Sequence, residues 1–366
     1  MKAVIVSSSY SYLERVELLK EYYDKKGYDA TVLLTDFIHA NKSYATWERE
    51  GYVLVNTKSY QKNISVDRLY SHDKFAKDIE AILNNMEVDL LHILLPANSL
   101  AKVGKRYKEA HPSVTLCFDI IDLWPETMPI NKFKKTYPFN CWRRLRDDYL
   151  DNADRIYCEC NLFAKVMGRE HDKRFKTLYW VKTDESVVSN PKLNMNELHL
   201  CYLGSINNVI DIDYIVRMCT ELIRIKKVVL HIVGDGEKRE ELLQRTREIG
   251  CEVIYHGLVY ESDKKQNIFD ECHFGLNIMK SSVCVGLTMK SLDYFQAGLP
   301  IINNIDGDTA DMIDDYGIGF NGYHALLKNI EQLQEKDYLV MRDNVKKLYY
   351  EKFTKEAFVK RLEDEE

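Results

Sequence analysis

Residues 286–303 read GLTMKSLDYFQAGLPIIN, and the residue types in that stretch run in the order of a helix delivered into a β-strand. Thr288 is an N-cap residue for a helix reaching Ala297, Gly298 stops that helix, and Pro300 opens an apolar run through Asn303. The same alternation continues outward in both directions. Toward the middle of the chain, strands are expected at 199–203, 228–233, 252–255 and 273–278, with helices at 211–224, 237–249 and 263–270. Nearer the start, strands are expected at 2–6, 30–34, 89–94, 114–120, 155–158 and 177–181, with helices at 12–26, 73–85, 99–110 and 162–169. Apolar, β-branched runs alternating with helical patterns imply parallel sheets covered on both faces. Two such series imply two doubly wound α/β domains. The polar segment 183–197, with Asn190-Pro191 and no periodicity, reads as a linker between a domain at 1–182 and a second at 198–366 whose last helix can return to the first. No internal repeat and no low-complexity tract interrupts the pattern.

Composition sets the class. The 366 residues are 45% hydrophobic and 30% charged, which suits two globular domains. A net charge of −6 argues against nucleic acid as a partner. The nine cysteines are odd in number and include no C-x-x-C, so neither a disulfide framework nor a zinc site is expected. No run approaches the ~18 apolar residues of a membrane span, and residues 1–6 read as a first strand rather than a signal segment. A reducing cytoplasmic setting is therefore expected. Glycine is uneven: four of the sixteen precede residue 200 and twelve begin at Gly204. Loops that bring backbone N–H groups to phosphates are expected in the second half.

Within 286–303, Lys290 and Asp293 are three apart and share a helical face near its N-terminus. Free N–H groups at a helix start attract a pyrophosphate, a lysine adds charge, and a carboxylate one turn later can accept hydrogen bonds from ribose hydroxyls. A solvated ion pair between the two is the competing reading. In the first half, Phe118-Asp-Ile-Ile-Asp122-Leu-Trp124-Pro-Glu126 ends a strand with carboxylates and an indole at the sheet edge where α/β sites lie. Asp122 and Glu126 can accept hydrogen bonds from a ligand there while Trp124 supplies an apolar face. The alternative makes Trp124 core and Glu126 a cap. Residues 131–146 (NKFKKTYPFNCWRRLR) hold six basic side chains, no acidic one and interleaved aromatics. Lys132, Lys134, Lys135, Trp142, Arg143 and Arg144 are the residues expected to meet an anionic membrane surface, against a solvated basic face or nucleic acid as the other readings. Arg15 reads as a helix-surface charge.

The 286–303 segment resembles the nucleotide-binding helix of GT-B glycosyltransferases, particularly the retaining enzymes of glycosyltransferase family four. In that family a Glu-x7-Glu element precedes a small residue, Gly and Pro. Asp293 stands at the second carboxylate, which holds the nucleotide ribose, and Ala297-Gly298-Leu299-Pro300 matches the sequel. Lys290 reproduces a lysine found three residues earlier in a sub-pattern of the family. The first carboxylate, which orients the donor sugar, falls on Val285. Tyr202-Leu-Gly204-Ser205-Ile206 resembles the loop facing the donor phosphates, although Asn207, Asn208 and Asp211 follow where the family often has Arg and Lys. Val233-Gly234-Asp235-Gly236, followed by Leu242, resembles the G-x-G turn after the next strand. Residues 253–259 (VIYHGLV) resemble the loop against which the donor base lies, with Val259 as its contact and His256 packing or hydrogen-bonding locally. The D-L-W-P-E segment resembles one seen in enzymes that build bacterial surface polysaccharides. Ser7-Ser8-Ser9-Tyr10 occupies the place of a glycine-rich loop near the acceptor.

The resemblance implies two Rossmann-like domains facing each other across a cleft. It implies transfer of a sugar, with retention, from a nucleotide diphosphate donor to a glycan acceptor, lipid-linked at the inner face of a bacterial membrane. Gly204, Ser205, Val259, Thr288, Lys290 and Asp293 would bind the donor. Asp122 would be catalytic on the acceptor side, and Ser9, Tyr10 and Glu126 would bind the acceptor. No cofactor beyond the donor and no metal would be required. The alternatives are a non-catalytic GT-B subunit that stabilises a partner transferase, an NAD-dependent enzyme lacking the full glycine fingerprint, and a nucleotide-sugar 2-epimerase.

Overall fold

The computed structural model describes residues 1–128, 136–183, 189–191 and 194–364. Lys132, Lys134 and Lys135 lie outside the described residues. The chain divides into two units, Met1–Trp180 with Val359–Glu366, and Val181–Phe358. Each is built on its own sheet.

From edge to edge the first sheet runs Tyr52–Val55, Asp29–Thr35, Lys2–Ser7, Leu90–Leu95, Thr115–Ile120, Arg155–Cys158 and Phe175–Thr177, all parallel. The second runs Glu252–Gly257, Lys227–Val233, Glu197–Leu203, Phe274–Asn277, Ile301–Asn303 and Gly319–Asn321, again parallel. In both, the first strand of the unit is central, the next two step to one side, and the chain then crosses to the other. That is the doubly wound order, and it opens a crevice beyond the C-terminal ends of the strands where the direction reverses. In the first unit the crevice lies past Ser7 and Leu95, and in the second past Leu203 and Asn277.

The central strands are buried on both faces. Leu90–Leu95 is buried at every position. In the second unit Leu198, Leu200, Tyr202, Leu230 and Ile232 pack under the helix Ile212–Ile223, whose N-cap Asp211 accepts from Tyr214 N at 2.8 Å. Several expectations shift. The strand expected at 177–181 is Phe175–Thr177, and the run after it leads out of the sheet. The helix expected from 73 begins at Val66, capped by the Ser65 side chain. Of the segment read as a linker, Ser189 Oγ and Asn190 N both donate to the Asp270 carboxylate, at 2.7 and 2.8 Å, which fastens that part to the second unit.

The opposite face of the second sheet carries a chain of imidazoles. His199 Nε2 lies 3.1 Å from Glu197 Oε2, His199 Nδ1 lies 3.0 Å from His231 Nε2, and His231 Nδ1 lies 3.1 Å from His256 Nε2. One assignment satisfies all three contacts with neutral rings, each Nε2–H donating to the next acceptor. Burial, with the neighbouring histidines adding to it, lowers the His231 pKa to about 4. Burial also lowers His273 and His72 to about 3. An unfolded histidine titrates near ~6.5. Below that pH the unfolded chain takes up protons that the native rings refuse, so stability is lost as pH falls toward 4. Each ring costs on the order of 1 kcal/mol per pH unit. Unfolding midpoints measured from pH 7 to 4.5 should fall steeply, and His231→Gln should flatten the curve. An unchanged midpoint across that range would refute this account.

Candidate functional site

The crevice of the second unit is assembled from the 286–303 segment. Thr288 caps the helix Met289–Gln296: its Oγ1 accepts from Ser291 N at 3.2 Å and donates to Asn277 Oδ1 at 2.9 Å. Asn277 in turn donates to Asn303 Oδ1 at 2.9 Å, and Asn303 to Asn321 Oδ1 at 3.0 Å. Three adjacent strands thus end in one buried amide ladder that fixes the start of the helix. Tyr294 ties the helix to the first strand, donating to Cys201 O at 3.0 Å and accepting from Leu203 N at 2.8 Å. Gly298, at φ 67°, ends it in the left-handed conformation.

Lys290, the second residue of this helix, lies with its amine 4.5 Å over the Tyr202 ring, and Tyr202 OH donates to Ser205 O at 2.9 Å. Among the described residues the amine makes no ion pair. Burial brings its pKa down to about 8. Ser205 is exposed beside it in the loop after Leu203. This loop meets its neighbour backbone to backbone: a Cβ on Gly234, at φ 137°, would fall inside the radius of Gly204 O, so only glycine fits there. Gly234 N donates to Gly257 O at 2.7 Å, which draws the third loop, with half-buried Val259, into the same row.

Asp293 does not pair with Lys290. Its Oδ1 receives Lys182 Nζ at 3.2 Å and Lys265 Nζ at 3.3 Å. The solvated i,i+3 pair does not form, because the two side chains leave the helix toward different neighbours. Val285 lies in the loop before Thr288 and contributes no charge. Asn207 Oδ1 accepts from Val209 N at 3.0 Å, and Asn208 donates to Glu237. Lys182 and Lys265 were missed by sequence reasoning, since nothing local marks a lysine 111 and 28 residues from its carboxylate.

In the first unit the hydroxyl loop is folded on itself. Ser8 Oγ donates to Pro96 O at 2.9 Å across the crevice, and Ser9 Oγ accepts from Ser11 N at 3.2 Å. The half-buried Tyr10 ring meets Trp47 edge-on at 6.4 Å. Asp122 sits just beyond the Thr115–Ile120 strand, accepting from Thr127 Oγ1 at 2.8 Å. Burial raises its pKa against that hydrogen bond and one from Trp124. Glu126 is engaged elsewhere: the fully buried Arg146 guanidinium reaches it at 3.2 and 3.3 Å and also donates to Trp124 O at 3.0 Å. Its role is to fasten the D-L-W-P-E turn to the helix Tyr137–Asp147.

Two expectations are overturned. Arg15 is 1% exposed. Its Nε and Nη2 grip both oxygens of Asp119 at 2.7 and 2.8 Å, and Nη2 also donates to Leu178 O at 2.9 Å. Burial alone would raise the Asp119 pKa, but Arg15 and His92 hold it below the usual carboxylate range. Trp142 is buried and packs on Trp124, Met128 and Phe139, so it faces the core and not a membrane. Arg143 and Arg144 are exposed, Arg144 bonded to Asp148 at 3.1 Å. Among the described residues no helix is long and apolar enough to cross a membrane.

Sequence reasoning also missed Arg68 and Glu159. The Arg68 guanidinium stacks 3.8 Å over the Trp124 ring, and the near-parallel imidazole of His72 lies 6.0 Å from the same ring. Glu159 follows the Arg155–Cys158 strand directly, and a lone acidic residue ending an apolar run is the signal that could have marked it.

Comparison with known proteins agrees with this geometry. Residues 197–338 match the family model described as Glycosyl transferases group 1. No curated protein matches the sequence. Among solved structures, the chain is similar to the lipopolysaccharide outer core galactosyltransferase WaaB in its apo form, with a TM-score of 0.70, 15% identity, and coverage of 100% of this chain and 99% of that one. It is similar to sucrose-phosphate synthase from Thermosynechococcus elongatus at TM-score 0.69 and 12% identity, covering 100% and 98%. It is also similar to Anabaena HepE in complex with UDP and glucose, at TM-score 0.64 and 12% identity, covering 100% and 98%. The fold is GT-B, two Rossmann-like domains, and the match to the group 1 glycosyltransferase model falls within the second unit.

Proposed function

We propose that the chain is a glycosyltransferase that moves a sugar from a nucleotide diphosphate donor, bound by the second unit, to a glycan acceptor bound by the first. The observation that carries this reading is Lys290. An amine without an ion-pair partner among the described residues, at the start of a helix and beside the Gly204–Ser205 loop, suits a diphosphate, in a domain that matches group 1 glycosyltransferases. UDP and glucose are held by the structurally similar HepE, which makes a uridine donor the first to test.

Negative charge builds on the diphosphate as its bond to the anomeric carbon breaks, and we infer that Lys290 and the N–H groups at Met289 and Lys290 stabilise it without an obligatory metal. Such a front-face reaction, with retention at the anomeric carbon, needs leaving-group stabilisation more than a strong base. Asp293, held between Lys182 and Lys265, presents its carboxylate to the donor ribose. Asp122 takes the acceptor. We further infer a lipid-linked acceptor in bacterial polysaccharide synthesis and a peripheral place at the inner membrane face, supported by exposed Tyr137, Arg143 and Arg144.

A second reading, a non-catalytic GT-B subunit, is favoured by Val285 in place of a carboxylate and by the uncharged Asn207 and Asn208. Calorimetry against UDP, GDP, ADP and NAD without added metal separates the two. Binding of one nucleoside diphosphate, weakened about tenfold or more in Asp293→Ala, is the expected result. Absence of any nucleotide binding would favour the subunit.

A further inference from the structure

Three helices of the first unit, Val66–Leu83, Leu100–Ala110 and Tyr137–Asp147, stand around a cavity of about 470 Å³. Polar ties pin them at both ends of it. At the end nearer the sheet, Asn98 Nδ2 donates to Trp124 O at 3.0 Å and to Trp142 O at 3.1 Å, and Ser99 Oγ donates to His72 O at 3.1 Å. About two turns further along the first two helices, Arg106 Nη1 reaches Glu80 Oε1 at 2.8 Å. Between these ties the walls include Leu69, Ala76, Val103, Trp142 and Leu145. Protein interiors are packed without gaps of that size, whereas small-molecule sites are concave, mostly apolar spaces of several hundred cubic ångströms.

Two groups in the lining lack partners. Asn98 is 1% exposed, and its Oδ1, turned away from the carbonyls that Nδ2 serves, has no hydrogen-bond donor. A buried acceptor left this way costs free energy that a ligand hydroxyl recovers. Lys102, on the exposed rim, makes no ion pair among the described residues, while its rim neighbours Lys77 and Arg106 are paired with Asp73 and Glu80. The rim therefore carries one uncompensated positive charge. Around the mouth Val66, Leu69, Tyr70, Tyr137 and Leu145 are exposed, with Arg143 and Arg144 next to Leu145 in the chain. Apolar side chains open to the outside, set beside cations, suit hydrocarbon and an anionic headgroup together.

We propose that this groove holds the hydrocarbon chain of a lipid phosphate, with the phosphate against Lys102 and a hydroxyl of the group it carries at Asn98. The two residues are four apart at the start of one helix, so head and phosphate meet the protein side by side. Asn98 is bonded to the turn that follows Asp122, which is where a lipid-linked acceptor has to present its sugar. The inference thus rests on the reading of such an acceptor and gives its chain a place.

The test is calorimetry of the full chain against hexyl, octyl and decyl monophosphate, each below its aggregation concentration, and inorganic phosphate. Affinity should rise about fourfold for each added methylene, and inorganic phosphate should bind at least about a hundredfold more weakly than decyl phosphate. Lys102→Gln should weaken decyl phosphate about fivefold and leave the gain per methylene unchanged. Leu145→Asp, an exposed change at the mouth, should weaken it about tenfold, and Ala76→Phe, which fills the groove, should abolish binding. Affinity independent of chain length, or decyl phosphate bound at full strength by Leu145→Asp, would overturn the proposal even if Ala76→Phe did not fold. Co-sedimentation with phosphatidylglycerol vesicles and a UDP titration separate the failures. Vesicle binding without dependence on chain length removes the groove alone. UDP binding with neither removes the lipid-linked acceptor and leaves the transferase.

Discussion

Lys290→Met should abolish useful donor binding while leaving the second unit folded. The native amine rests on the Tyr202 ring and has no anion beside it among the described residues, so its removal leaves no partner stranded. Methionine has nearly the same length and no charge to desolvate. A charge-assisted hydrogen bond to a phosphate is worth about 1.5–3 kcal/mol net, which predicts a 10- to 100-fold loss of affinity for a nucleoside diphosphate. Transfer should fall further, by on the order of 10²–10³, because charge on the leaving diphosphate grows toward the transition state. The pH dependence gives a second signature. With the free amine titrating near 8, affinity should decline as pH rises past that value, and binding near pH 8 should take up a proton. Calorimetry in buffers of different ionisation enthalpy reads that proton directly. Lys290→Arg should hold its affinity at pH 9, where the lysine fails. Unchanged affinity in Lys290→Met would remove the residue from the donor site.

Arg15→Met should be the most damaging single change to the first unit. The guanidinium joins Asp119 to the carbonyls of Leu178 and Tyr179, all within the fold's interior. Taking away one partner leaves a carboxylate buried without compensation, at a cost of about 3–5 kcal/mol. Replacing both, as Arg15→Met with Asp119→Leu, should restore much of that, because an apolar pair has no charge to desolvate. The single variant also carries its own pH test. Without Arg15, burial raises the Asp119 pKa instead of leaving it lowered, so the deficit should be largest at pH 7 and shrink toward pH 4 as the carboxyl takes a proton. Denaturant titrations at both pH values check the prediction, and equal stability of native and single variant would refute it.

What could be read in the sequence was what local chemistry writes there. Thr288, Gly298 and Pro300 set the bounds of their helix and strand through caps and turns that act within a few residues, and the structure places Met289–Gln296 and Ile301–Asn303 accordingly. The place of Asp122 just past its strand was legible because a carboxylate that follows an apolar run falls at the sheet edge. The Arg15–Asp119 pair was not, since its members are 104 residues apart and each looks like an ordinary charge in its own neighbourhood. Trp142 misled for a related reason: a tryptophan among arginines reads as an interfacial ring until the helix that bears it turns one side inward. The start of the helix Val66–Leu83 was hidden by Val66, Leu69 and Tyr70, which are exposed and spoil the amphipathic pattern. The Tyr52–Val55 and Gly319–Asn321 strands are edges of four and three residues, too short to show a period, and the helix Glu335–Lys352 was concealed by apolar residues on its outer side, Leu339, Val340 and Tyr350 being exposed.

The assignment of Val359–Glu366 to the unit that begins at Met1 bears on how the protein is made. Leu362 is buried there and Glu363 reaches Lys26 at 3.4 Å. On the ribosome the opening residues emerge first, yet their unit lacks its closing piece until every residue of the intervening unit has been translated. The later-encoded Rossmann sheet can close before the earlier one is sealed. Nascent chains halted before residue 359 would thus carry a finished second unit and an open, protease-sensitive first one.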